Sequence, residues 1–303
     1  MPHIISIGSG KGGVGKSLVT SNIGVLLARK GKRVLLIDLD LGAANLHTYI
    51  GQKQLDQGID TFLENRNVPL ASTAMPTRVP NLFFINSTNC SIEIANLFAT
   101  QKYKILRGLA RLPYDYVLLD LGAGTHYNIL DFFLGADEGI LVCTSEPTSI
   151  ENAFKFLKSV YFRVIKKTLE HHVFKAVTSR LDLSGASVNH SFKLIKQVRQ
   201  MDAQKGALLQ KRLSSLGFKI IMNQVRKSDD PTLGQVIEKV CQRHFLSQFR
   251  FIGNVRYDEK VYDAAVSKSI FIEKYSYTSS ATDLTVIANQ ILEEDDARQH
   301  LIG

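Results

Sequence analysis

The sequence predicts an α/β protein built on a doubly wound, mostly parallel sheet with helices on both faces. Three observations predict it. Short, almost continuously apolar runs alternate with stretches of helical spacing nearly to the end of the chain, the pattern of strands buried on both faces. The first such run leads straight into a glycine-rich loop. The residues with evident chemistry (Gly10, Asp40, Asp120 and Asn223) each stand at or just after the end of a different run, where ligands sit in sheets of this kind.

Taken in order, Ile4-Ile5-Ser6-Ile7 reads as a buried strand, followed by Gly8-Ser9-Gly10-Lys11-Gly12-Gly13-Val14-Gly15-Lys16-Ser17. Gly10, Gly15, Lys16 and Ser17 fit the phosphate-loop spacing G-x-x-x-x-G-K-[ST]. Glycines let the backbone wrap closely around phosphate oxygens, and the start of the next helix turns its N–H groups toward the anion. That helix is expected over 17–30, with Gly31 closing it. Residues 33–37 form a second buried strand that runs into Asp38-Leu39-Asp40, and 82–86 a third. Residues 116–119 lead to Asp120, a helix lies near 129–134, and 139–143, 218–223 and 249–252 supply the remaining strands. One domain spanning 1–303 is expected, with a basic helical insert over 155–216.

In this setting Lys16 contacts the β- and γ-phosphates and Ser17 ligates Mg²⁺. Asp120, emerging from a four-residue apolar run, suits a carboxylate that holds Mg²⁺ through water. Leu121-Gly122-Ala123-Gly124 follows it, small enough to approach a γ-phosphate closely. An ordinary phosphate loop has no need of Lys11, and a cation amid glycines is unfavourable unless it meets an anion.

Composition narrows the class. The chain has 303 residues, 45 % hydrophobic, ample for a large core. No run approaches a membrane span, and no basic-then-apolar leader precedes the first strand. Cys90, Cys143 and Cys241 are scattered without a C-x-x-C pair, which argues against disulfides, zinc and iron–sulfur clusters. A cytoplasmic location is expected, with peripheral association with membrane or nucleoid left open.

The string Lys-Gly-Gly-Val-Gly-Lys-Ser at 11–17 resembles the deviant Walker A motif of the MinD/ParA ATPases. Residues 35–46, with Asp38-Leu39-Asp40, and the segment Glu146-Pro147-Thr148-Ser149-Ile150 are similar to the MinD branch that includes the flagellar-number regulator FlhG. The resemblance implies a P-loop ATPase that binds ATP with Mg²⁺ through Gly10, Lys11, Gly12, Gly13, Val14, Gly15, Lys16, Ser17 and Leu18. It implies that Lys11 reaches the partner's nucleotide in an ATP-bound homodimer. Asp40 would orient the attacking water, and Asp38 would serve the metal shell or neighbouring loops. Asn223 matches the family asparagine that reads adenine, with residues 253–258 as the base loop. An activating protein partner is also implied. Three departures stand out. Residues 293–296 are all acidic where the family usually ends in a basic membrane anchor. No N-terminal extension precedes the first strand, and Ser17-Leu18 replaces the usual hydroxyl pair.

Segment 155–219 carries fourteen Lys or Arg against three acids, a net +11. The whole chain carries +9, so the rest is near −2 and the basicity is local. Phe154, Leu157, Val160, Tyr161, Val164 and Ile165 form an apolar stripe, with Lys155, Lys158, Arg163, Lys166 and Lys167 opposite and Phe156 and Phe162 off the stripe. A second helix is expected from about 191 to 213. Such a segment suits DNA phosphates, an anionic bilayer or an acidic partner, and a plain solvated helix face is equally open. The reading is an ATP-hydrolysing dimerisation switch that positions or partitions flagella, a division site or a chromosome. The alternative is a nucleotide-binding regulator with negligible turnover that docks a partner or DNA through the basic patch.

Overall fold

The computed structural model describes residues 1–42, 44–53, 57–65, 67–87, 97–178 and 190–302. Cys90, Asp182 and Ala43 of the family-like string lie outside them. Eight strands form one sheet in the order β3-β4-β2-β5-β1-β6-β7-β8. They are β1 (His3–Ser9), β2 (Val34–Leu39), β3 (Met75–Pro76), β4 (Leu82–Ile85), β5 (Tyr116–Ala123), β6 (Glu138–Cys143), β7 (Gly217–Val225) and β8 (Gln248–Arg256). All neighbours run parallel except the two-residue β3, which pairs antiparallel with β4.

Alternation along each strand feeds two cores. Leu35, Ile37, Val117 and Leu119 pack on one face; Val34, Leu36, Tyr116 and Leu118 pack on the other. The second face is covered chiefly by α1 (Lys16–Arg29) and the long C-terminal helix Ser279–Ile302. The first carries the helix Ala99–Leu109, the helix Tyr127–Gly135, and the helices between β6 and β7. These last are Pro147–Thr168, His171–Thr178, His190–Met201 and Ala203–Ser214.

Three expectations change here. The second basic stretch is two helices, broken at Asp202, whose carboxylate caps the later one by accepting the Lys205 N–H at 2.9 Å. Phe156, expected off the apolar stripe, is fully buried and meets Phe133 edge-on at 4.9 Å. Lys219, counted with the basic segment, is 5 % exposed and belongs to the interior.

Lys219 bonds Glu138 at 2.6 Å and Glu294 at 2.9 Å, Arg250 bonds Glu294 at 2.5 Å, and Arg298 bonds Glu138 at 3.2 Å. Asp295 lies 3.2 Å from His3 and accepts the Tyr116 hydroxyl at 2.8 Å. Two of the four consecutive acids therefore dock the last helix onto the amino ends of the strands, and Asp296 adds a 3.5 Å pair with Lys32.

The basic face is partly neutralised in the same way. Buried Asp131 accepts from Lys102 at 2.6 Å and from Arg163 and Lys167 at 2.7 Å. Burial pushes its carboxyl up, but the hydrogen bonds from Arg163, Lys102 and Lys167 outweigh this and hold it well below the usual range. Arg163 and Lys166 also lie over the Tyr127 ring at 4.5 and 4.9 Å.

Candidate functional site

The phosphate loop joins the carboxyl end of β1 to α1, and its shape depends on glycine at two places. Gly15, which caps α1, has φ 89°, and a Cβ there would lie 2.2 Å from Asn223 Nδ2. At Gly10 a Cβ would lie 2.0 Å from the Asn152 carbonyl oxygen, so the loop and the helix Pro147–Thr168 touch backbone to backbone. Ser9 Oγ donates to the Lys11 carbonyl at 2.7 Å, folding the intervening turn.

Behind the loop, β2 and β5 place Asp38 and Asp120 directly opposite each other in register. Asp120 is buried and accepts hydrogen bonds from Ser17 Oγ at 2.6 Å and Thr20 Oγ1 at 3.1 Å. Burial pushes its carboxyl up, while Ser17, Lys16 and Thr20 pull it back. Asp38 is raised too, by burial first and Asp120 second. Both Asp38 oxygens are committed to backbone, accepting the N–H of Asp40 and of Leu46 at 3.0 Å each. Of the two roles expected for it, the geometry matches the loop: Asp38 fixes the segment that carries Asp40. Lys16 is 8 % exposed; burial lowers its pKa against the pull of Asp120, Asp40 and Asp38.

Asp40 itself is part-exposed, with Gly122 beside it; a Cβ at 122 would lie 3.1 Å from its Oδ1. It opens on a cavity of about 470 Å³ whose lining includes Gly13, Gly15, Lys16, Ser17, Leu18, Tyr257 and Tyr262. Asn223 and Gln224 line it as well. Gly10, Lys11 and Val14 belong to the loop without lining this cavity.

Lys11 points elsewhere, donating to Glu146 Oε2 at 2.7 Å and Thr148 Oγ1 at 3.3 Å. Both ends of that pair are solvent-exposed, with side chains 39 % and 63 % accessible, so releasing the lysine costs about 1 kcal/mol or less. Glu146 and Thr148 entered the sequence reading only through resemblance; that they hold Lys11 was not legible. Gln224 carried no sequence signal of a role, and Tyr257 entered only as part of the 253–258 loop that the resemblance implies. Tyr257 is backed by the Arg226 guanidinium at 4.8 Å, a contact between residues just past the ends of β8 and β7 that spacing alone does not reveal.

Ser17 and Asp120 supply hard oxygen donors side by side, which fits Mg²⁺. Among the described residues no group of three or more His, Cys, Asp or Glu side chains forms a metal cage.

Residues 5–271 match the CobQ/CobB/MinD/ParA nucleotide binding domain. The chain belongs to this family. Within this CobQ/CobB/MinD/ParA family it sits with the MinD/FlhG-like branch. The septum site-determining protein MinD of Helicobacter pylori is 32 % identical over 157 residues, which cover 50 % of this chain and 57 % of that protein. The antiactivator FleN of Pseudomonas aeruginosa is 31 % identical over 161 residues, 52 % of this chain and 55 % of FleN. The alignment thus spans little more than half the length of these curated relatives. Among solved structures, MinD of Pyrococcus horikoshii OT3, complexed with Mg-ADP, superposes with a TM-score of 0.65 at 19 % identity, covering 96 % of each chain. That likeness gives the fold. Among the described residues no helix is long and apolar enough to cross a membrane.

Proposed function

We propose that this chain is an ATP-hydrolysing dimerisation switch of the MinD/ParA type, with ATP as substrate and Mg²⁺ as cofactor. One observation carries it: a phosphate loop with two lysines faces Asp40 and Asp120 from adjacent strand ends, and only one of those lysines is built into the loop's own cavity. Lys16, with the N–H groups at the start of α1, neutralises the triphosphate. Ser17, directly, and Asp120, through water, would hold the metal, which would supply charge neutralisation at the phosphates. Asp40, held by Asp38 and given room by Gly122, accepts a hydrogen bond from the attacking water. Lys11, lightly held by Glu146 and Thr148, is free to reach a second copy's nucleotide. Catalysis is then mostly positioning and electrostatics.

The test is light scattering of the Asp40→Ala variant with saturating ATP or ADP and Mg²⁺, beside steady-state turnover of the wild type. A dimer with ATP, a monomer with ADP and turnover lost in the variant support the switch. Monomers under every condition sink it.

A second reading follows from the basic face of the helix Pro147–Thr168, where Arg163 and Lys167 share the Asp131 carboxylate and Arg163 and Lys166 lie over the Tyr127 ring. Here the chain binds nucleotide with negligible turnover and docks an anionic partner. ATP binding without turnover, with salt-sensitive retention on duplex DNA or on anionic vesicles, would favour it. Either way an activating protein partner and a positioning role (division site, flagella or chromosome) belong to the proposal.

A further inference from the structure

Near its carboxyl end β7 breaks the strand rule that successive side chains point to opposite faces. Met222 pairs with Asn254 and Val225 with Arg256, so β7 carries one residue more than β8 between those points. The extra residue is accommodated at Asn223 and Gln224, and Gln224 takes φ 58°, a left-handed conformation uncommon for anything but glycine. As a result two consecutive side chains reach the same target. Asn223 Nδ2 donates to the Val14 carbonyl at 2.8 Å, and Gln224 Nε2 donates to the Gly13 carbonyl at 2.9 Å.

These two carbonyls belong to the phosphate loop, more than two hundred residues earlier in the chain. In a trans peptide the N–H and C=O point oppositely. Tying the carbonyls of Gly13 and Val14 to β7 therefore turns the N–H groups of Val14 and Gly15 away from β7. We propose that Asn223 and Gln224 are positioning residues, and that the bulge in β7 exists to aim both amides at the loop and hold it in its anion-binding shape. Backbone strain at Gln224 is the local cost of that aim. On this assignment one hydrogen of Asn223 Nδ2 serves the loop, and the other, with Oδ1, stays available to a ligand.

The inference rests on the phosphate-loop reading above, and the experiment separates the two. Binding of ATP and of inorganic tripolyphosphate, each with Mg²⁺, is measured for the wild type, Gln224→Gly and Gln224→Met. Glycine relieves the left-handed strain, so Gln224→Gly should melt at or above the wild-type temperature. Both ligands should nonetheless bind about fivefold more weakly, by the same factor, as expected for one lost neutral hydrogen bond. Gln224→Met keeps the side-chain length without the donor and should show the same parallel loss. Weakening of ATP alone would make Gln224 a base contact and overturn the proposal, as would unchanged affinity for both ligands. A wild-type chain that binds neither ligand overturns the phosphate-loop reading itself.

Discussion

The two ends of the sheet both bury charge, and they treat it in opposite ways. At the amino ends of the strands Lys219, Arg250 and Arg298 meet Glu138 and Glu294 in short ion pairs. At the carboxyl ends Asp38, Asp40 and Asp120 surround Lys16, and the carboxyls of buried Asp38 and Asp120 are pushed up. Ion pairing is complete where the structure needs holding and incomplete where a ligand is to arrive. An excess of buried carboxylate is unfavourable for the empty chain, and a bound cation would relieve it. The contrast separates structural charge from functional charge on one sheet.

Five substitutions would break or sharpen that contrast. The largest effect is expected from Asp40→Ala at the functional end, where turnover should fall by roughly 10²–10⁴-fold while ATP still binds; steady-state phosphate release measures it. At the structural end, Lys219→Met leaves Glu138 and Glu294 short of a cation and should cost about 3 kcal/mol of stability, read by urea unfolding. An equal cost for Lys16→Met would erase the distinction between the ends.

Asp120→Asn tests the incomplete pairing directly. A carboxyl whose pKa is raised by folding holds its proton in the native state after the unfolded chain has lost it. Its penalty is therefore absent below about pH 4 and grows as pH rises toward the folded value. Without Mg²⁺, Asp120→Asn should be about 1 kcal/mol more stable than wild type at pH 8, with the difference vanishing near pH 4. A variant less stable than wild type at every pH would contradict the electrostatic account. The smallest effect on stability belongs to Lys11→Ala, within about 0.5 kcal/mol because its pair with Glu146 is exposed. The same variant should lose ATP-dependent dimerisation.

Much of this was legible in the sequence. Apolar runs marked seven of the eight strands, because strands buried on both faces leave no polar alternation to confuse the pattern. Only β3, two residues long, left no periodic trace. The loop glycines, Lys16, Ser17 and Asp120 could be singled out from spacing, and Asp40 from the family resemblance. What escaped depends on distant partners. Phe156 looked misplaced on its helix, yet Gly8 makes room for its ring, 3.1 Å from where a Cβ would stand. Lys219 looked like surface charge until residues 75 or more positions away enclosed it. Gln224 offered nothing, since both its strain and its bond arise from a bulge. Asp202 did carry a local sign, an aspartate three residues before the Lys205 N–H it caps, and helical spacing on both sides hid it.

The rims of the sheet have a consequence for how copies of this chain meet. One edge ends in Met75–Pro76, and proline has no N–H to offer an incoming strand. The other edge, β8, carries Arg250 and Arg256 and is kinked by the extra residue opposite Ile220 and Ile221, with Gly253 at φ 152°. Charge and bulges of this kind discourage strand addition. Growth of the sheet from one molecule into the next is thus blocked at both rims, and self-association falls to loops and helices, where it can be made and undone without a register to slip.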